Sequence, residues 1–133
     1  MKRYKPIKQR SDKGRLITKI DKLFRETVLS KREHKCEWCG KSPETVFISH
    51  ILPKGKYPRL RFVEDNVLLL CYYCHMERWH KNPLEAEAFI MEKFGKDYRK
   101  ELLIIEKTQD PHTMFYLYCL HDFLKGKFDG KKK

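Results

Sequence analysis

The chain has 133 residues, one domain's worth and too few for two independent cores. Thirty Lys and Arg against 18 Asp and Glu leave a formal charge of +12, for which a polyanionic partner is the simplest physical reason. No apolar run approaches the length of a membrane span and no apolar stretch follows the basic N-terminus, so a membrane or secreted protein is not expected and a cytosolic or nucleoid-associated one is.

Residues 1–13 are polar, basic and without periodicity, which reads as a flexible arm carrying Lys2, Arg3, Lys5, Lys8 and Arg10. From Arg15 to about Lys31, Leu16, Ile17, Ile20, Leu23, Phe24, Thr27 and Val28 recur at intervals of three and four, the pattern of an amphipathic helix. The runs TVFISHIL (45–52) and RLRFVED (59–65) are short and rich in branched and aromatic residues. They read as two strands joined by the loop PKGKYP. NVLLLCYYCHMERWHK (66–81) then turns into a helix near Tyr72. Asn82 as a side-chain cap, Pro83 in the first turn and Glu85 start another helix, with Gly95 as its stop. A further helix is expected from Asp97 to Lys107. A last one starts at Asp110–Pro111 and carries Met114, Phe115, Leu117, Tyr118, Leu120, His121 and Leu124. Residues 127–133 are a basic tail. The expected organisation is one domain over 14–126, with a core at 34–82 and a helical extension at 83–126.

Four of the five cysteines form two C-x2-C pairs, Cys36/Cys39 and Cys71/Cys74, with 31 residues between them. Each pair makes a tight turn that presents two thiolates to one tetrahedral zinc, and Gly40 supplies the residue free to take positive φ after the first. Four sulfurs close the coordination sphere, so this zinc is structural, and its binding free energy is partly folding free energy. Cys119 falls among Phe115, Leu120 and Phe123 on the last helix and reads as a core residue.

Between the two pairs the polar residues run His50, Asn66, His75. A lone histidine on an apolar strand is most often a core residue, but this ordered set between two zinc knuckles points to chemistry. With its signatures SHILP, EDNVLLLC and CYYCH, the chain resembles the HNH endonucleases of the ββα-metal fold. HILPKGKYPRLRFVEDNV, the preceding KIDKLFRE and the following NPLEAEAFIMEKFG are most similar to the phage NinG (Rap) type of recombination nuclease.

The resemblance implies an α+β fold with a zinc-stapled ββα-metal core between N- and C-terminal helices, and a metal-dependent hydrolysis of DNA phosphodiester bonds. His50 matches the general base, His75 the ligand of a catalytic divalent ion (Mg2+ or Mn2+), and Asn66 the residue that pins the loop so that the base is aimed. It further implies selectivity for branched or recombination DNA, and a bacterial, phage- or prophage-encoded setting. One departure stands out: where many relatives place an Asp, Glu or His ligand before the base, this chain has Ser49. His80 lies five residues after His75, about 140° round an ideal helix, and shares an ion with it only where the helix ends or bends.

The loop after the candidate base carries Lys54, Lys56, Arg59 and Arg61 with Tyr57 interleaved, and Arg78 and Lys81 extend it along the following helix. These are candidates for phosphate contacts, with Tyr57 for stacking on an unpaired base. The alternative is a solvated turn whose charges serve solubility. Three substrate readings stay open: a DNA endonuclease, an RNA nuclease, and a zinc-containing DNA-binding module whose HNH residues are scaffolding. The last helix is apolar nearly all round and is expected to be buried, against the core or as a homodimer contact with a second copy.

Overall fold

A computed structural model describes the backbone of residues 11–130 and side chains through residue 126. Lys2, Arg3, Lys5, Lys8 and Arg10 of the expected arm therefore lie outside the described residues.

Helix α1 spans Asp12–Lys31 and begins inside the expected arm, because the Ser11 hydroxyl accepts the Gly14 N–H at 3.1 Å and closes the first turn. Its buried residues, Leu16, Ile20, Phe24, Thr27 and Val28, are those of the sequence pattern. Strands β1 (Phe47–His50) and β2 (Val67–Leu70) pair antiparallel, with His50 opposite Val67 and Ser49 opposite Leu68. A π-helical segment, Cys74–His80, precedes α2 (Pro83–Phe94), α3 (Tyr98–Thr108) and α4 (Met114–Gly130). The architecture is mixed, helices around one small two-stranded sheet.

The sheet is a middle layer. Leu68 and Leu70 face a cluster with Cys36, Cys71, Cys74, Leu60, Ile90 and Leu102, while Val67 and Leu69 face Leu16, Ile20, Phe24, Val28, Leu117 and Leu124 from α1 and α4. Alternate residues of one strand thus serve two cores. Each fully buried leucine of β2 contributes about 1.5–3 kcal/mol.

The outer edge of β2 is closed without a third strand. The Glu37 N–H donates to the Leu69 carbonyl at 2.7 Å, the Glu37 carboxylate accepts the Leu69 N–H at 2.6 Å, and the Arg32 guanidinium donates to the Val67 and Glu64 carbonyls at 2.8 and 2.7 Å. The segment leading into the first cysteine pair thereby satisfies backbone groups that burial would otherwise leave unpaired.

Several expectations are corrected. The second strand is Val67–Leu70, not 59–65, which instead forms short 3-10 turns at Pro58–Leu60 and Glu64–Asn66. Pro58 opens the first of these, Leu60 is the only fully buried residue in 59–63, and β2 escapes an alternation test because it is buried on both faces. Asn82 does not cap α2 with its side chain, which donates to Glu85 at 3.0 Å. Gly95, with φ of 98°, does stop that helix. Helix α4 starts at Met114, where the Thr113 hydroxyl accepts the Tyr116 N–H at 3.1 Å, and its backbone continues into the expected tail as far as Gly130. It is not buried all round: Leu117 and Leu124 pack toward α1, but Phe115 is 80 % exposed, and Tyr118, Phe123 and Cys119 are also exposed, so Cys119 is not a core residue. Among the described residues no helix is long and apolar enough to cross a membrane.

Candidate metal centre and active site

The four paired cysteines meet. The sulfurs of Cys36, Cys39, Cys71 and Cys74 lie within 4.8 Å of one another, and Cys39 Sγ stands 3.8 Å from Cys71 Sγ. Four sulfurs at about 2.3 Å from one tetrahedral zinc would be about 3.8 Å apart, so this cluster is compatible with a structural zinc. Each pair is shaped as a knuckle, with the Cys39 N–H turned to Cys36 Sγ at 3.5 Å and the Cys74 N–H to Cys71 Sγ at 3.4 Å. Gly40 takes φ of 78° and donates to the Cys36 carbonyl at 2.9 Å, the role the sequence assigned to it.

Burial pushes the Cys36 thiol up, but backbone N–H groups of Cys39, Cys71 and Trp38 outweigh it and hold the thiol at about 7. Burial raises Cys39 and Cys74. Around the cluster, Arg78 lies over the Trp38 ring at 4.0 Å and donates to Cys74 Sγ at 3.9 Å, and Trp38 stacks on Phe89 at 4.5 Å.

His50, His75 and His80 line one cavity of about 430 Å³ with Ser49, Lys54 and Trp79. His50 Nε2 lies 3.0 Å from the Arg61 carbonyl oxygen. A carbonyl only accepts, so Nε2 carries the proton and Nδ1 is left with the lone pair. Burial is the largest influence on this imidazole and holds its pKa below 6.5, helped by the charges of Lys54 and Arg61 and opposed by the Arg61 carbonyl and Asp21. It is a neutral base at physiological pH.

Ser49 is 1 % exposed and its Oγ lies 2.5 Å from His75 Nδ1, while the His75 ring stacks on Phe47 at 5.7 Å, tilted by 5°. With Nδ1 so engaged, Nε2 is the nitrogen of His75 left to take a ligand role, and it stands 3.3 Å from His80 Nε2. Two nitrogens at about 2.1 Å from one tetrahedral ion are about 3.4 Å apart, so the pair fits a shared cation. Burial, and then the charge of His80, lower the His75 pKa, which favours the neutral ligand form. The π-helix explains the proximity. Its hydrogen bonds run from i to i+5, so residues five apart lie one above the other rather than about 140° apart. Among the described residues the cysteine cluster is the one group of three or more metal-binding side chains, so His75 and His80 make a pair without a third protein ligand.

Asn66 does not line the cavity. Fully buried, it accepts the Leu52 N–H at 2.8 Å and donates to the Leu52 and Leu60 carbonyls at 3.0 and 3.3 Å. It ties the exit of β1 to the middle of the loop, which is the pinning geometry expected of it.

The basic set divides. Lys54 lines the cavity and is exposed, as is Lys56, whose Nζ lies 5.7 Å from the Tyr57 ring centre. Arg61 is held in a two-bond ion pair with Asp21 of α1 at 2.9 and 2.6 Å, Arg78 is paired with Glu85 at 2.6 Å, Lys81 with Glu77 at 3.0 Å, and Arg59 donates to the Gln109 carbonyl at 3.3 Å. Tyr57 is half-buried against the zinc-side core rather than presented for stacking. The Ser49–His75 contact carried no signal beyond residue type, whereas the spacing of His75 and His80 pointed to their pairing only on the condition that the helix departs from α pitch.

No protein-family model, no curated protein and no solved structure matches this chain.

Proposed function

We propose that this protein is a metal-dependent endonuclease of the HNH (ββα-metal) type, similar to the NinG recombination nucleases, that hydrolyses phosphodiester bonds in DNA. The observation that carries the reading is the convergence on one cavity of a neutral histidine with a free Nδ1, a two-histidine pair at ligand spacing, and Lys54. β1 supplies His50, the loop after it Lys54, and the π-helical segment after β2 supplies His75 and His80, an order consistent with the resemblance.

In this reading His50 Nδ1 takes a proton from the attacking water, and the Arg61 carbonyl holds the ring while it does so. Asn66 acts as a positioning residue through the loop that contains Arg61. His75 and His80 hold the divalent ion, with Ser49 fixing the His75 tautomer. Once bound, that ion supplies Lewis-acid stabilisation of the phosphate and the leaving oxygen. Lys54 adds a positive charge beside the base, and Lys56 a flanking one. Cys36, Cys39, Cys71 and Cys74 hold a structural zinc that anchors the helix bearing His75.

Two imidazoles without a carboxylate are a poor donor set for Mg2+ and a better one for later first-row ions. Supercoiled plasmid and a four-way junction, incubated with zinc-loaded protein and limiting Ni2+, Co2+, Mn2+ or Mg2+, test the proposal. Nicking is expected with Ni2+ or Co2+ ahead of Mn2+ and Mg2+, and no nicking with any ion would refute the enzyme. A parallel RNA substrate decides between DNA and RNA. A second reading, a zinc-containing DNA-binding module with an inactive site, is favoured by one observation, the absence of a third protein ligand beside His75 and His80 among the described residues. Binding of the junction without cleavage supports it.

A further inference from the structure

Tyr72 and Tyr73 lie between the two cysteines of the second pair and are 65 and 63 % exposed. Single exposed aromatic residues are ordinary on protein surfaces. Tyr72 differs in what its ring touches: it meets the Phe47 ring at 6.1 Å and 61°, Phe47 stacks on His75 at 5.7 Å, and His75 meets His80 at 4.5 Å. Four rings thus run without a gap from the solvent to the two-histidine pair. Along this row the backbone is rigid, since Phe47 and His75 belong to β1 and the π-helix, and Cys71 adjoins Tyr72. The cavity at the inner end is lined by three histidines and Lys54 and, among the described residues, by no carboxylate.

We infer that Tyr72 is a stacking platform for an unpaired nucleobase flanking the phosphate held at His75 and His80. This deepens the nuclease reading and rests on it. A π-face is needed on the ligand side, because the outer end of the row presents the exposed ring of Tyr72, whose face offers area for stacking. An anionic strand is needed because, among the described residues, Lys54 is the one Lys or Arg lining the cavity at the inner end and no acid opposes it there. Bases inside a duplex are stacked on one another and hide their faces, so the partner is a single strand, a flap or a branch point. Two centroid steps of 6.1 and 5.7 Å separate Tyr72 from His75, which at about 3.4 Å per nucleotide is a reach of no more than about three to four nucleotides. The role expected of Tyr57, which is packed against the core, passes to Tyr72.

The test is fluorescence anisotropy with a short labelled single strand and the matching duplex, using the full zinc-loaded chain in a His50→Ala background so that nothing is cut. Tyr72→Ala is expected to weaken single-strand binding by about five- to 150-fold, the range of one base–aromatic stack, with duplex binding, salt dependence and zinc content unchanged. Tyr72→Trp is expected to restore binding, and its added indole emission to be quenched by the normal strand but not by one with abasic sites. Equal single-strand affinity for parent and Tyr72→Ala overturns the inference, as does an equal loss on single strand and duplex. If Tyr72→Ala loses zinc, the indole reports alone, and an unquenched indole overturns the inference. Ribose and deoxyribose strands run side by side identify which backbone carries the base. Plasmid nicking reads the nuclease assignment separately: nicking together with parent-like binding by Tyr72→Ala sinks only the stacking role, and the expected binding pattern without nicking sinks only the nuclease.

Discussion

His50 carries its proton on the nitrogen that faces the Arg61 carbonyl, so the chemistry proposed for it depends on Nδ1 remaining unprotonated. Burial places its pKa below 6.5, and the protonated form is the inactive one. Cleavage should therefore fall on the acid side, with an apparent pKa under 6.5, and be level above it until another group titrates. His50→Ala should abolish cleavage while leaving zinc content intact, and a variant that cuts as well as the parent removes His50 from the role of base. Ser49 stands where the HNH resemblance would place a metal ligand. In the proposed site its contact with His75 Nδ1 gives it a different task, that of orienting a ligand rather than binding the ion. Ser49→Ala should weaken Co2+ binding at His75 and His80 by about ten- to a hundredfold, with the four-cysteine site still loaded. Ser49→Thr, which keeps the hydroxyl, should retain most of the affinity, and the two are distinguished by titration calorimetry on zinc-loaded protein.

At the scale of elements, helices were legible where local pattern sets them: α1 from its apolar spacing and α2 from Pro83 and Gly95. The sheet was half legible. β1 announces itself by its branched and aromatic residues, whereas β2 is a plain apolar run because both of its faces are buried, and the alternating RLRFVED beside it imitates a strand better than the strand does. The π pitch of Cys74–His80 has no local signature, so the pairing of His75 with His80 could be framed only as a condition on the helix. Nor did local pattern reveal that Arg61 and Arg78 are spent on Asp21 and Glu85. Glu37, also unremarked in the sequence, closes the edge of β2 and holds Arg32 at 3.1 Å. Glu37→Ala leaves the Leu69 N–H and the Arg32 guanidinium without this partner, and should cost about 1.5–3 kcal/mol in a denaturant titration with an unchanged m-value. A loss within the range of an ordinary surface substitution, under about 0.5 kcal/mol, would mean that the edge is satisfied otherwise.

Among the described residues two cores share β2, and one of them joins Cys36, Cys71 and Cys74 to Leu60, Ile90 and Leu102. Removing a zinc held by this cluster would therefore act on more than a surface clip, since it would free the segment that closes the β2 edge and the helix that carries His75 in one step. Burial raises Cys39 and Cys74, so zinc must displace protons from their thiols at neutral pH, whereas Cys36, held at about 7, is already partly ionised. Zinc affinity should accordingly fall as pH falls, and binding at pH 7 should release protons, seen as a dependence of the calorimetric heat on the ionisation enthalpy of the buffer. Acid should destabilise the fold by a second route as well. His50 and His112 are both lowered by burial, so the unfolded chain binds protons that the folded one does not, and the stability they contribute is complete above about 6.5 and lost as pH falls through their folded values. The two routes separate by experiment. In excess zinc, thermal melts should still show the histidine loss just below pH 6.5, whereas a chelator at pH 7.5, where those histidines are already neutral, should unfold the zinc-side layer. If the chelated protein melts as the zinc-loaded one does, the four cysteines are not what holds the two halves of that layer together.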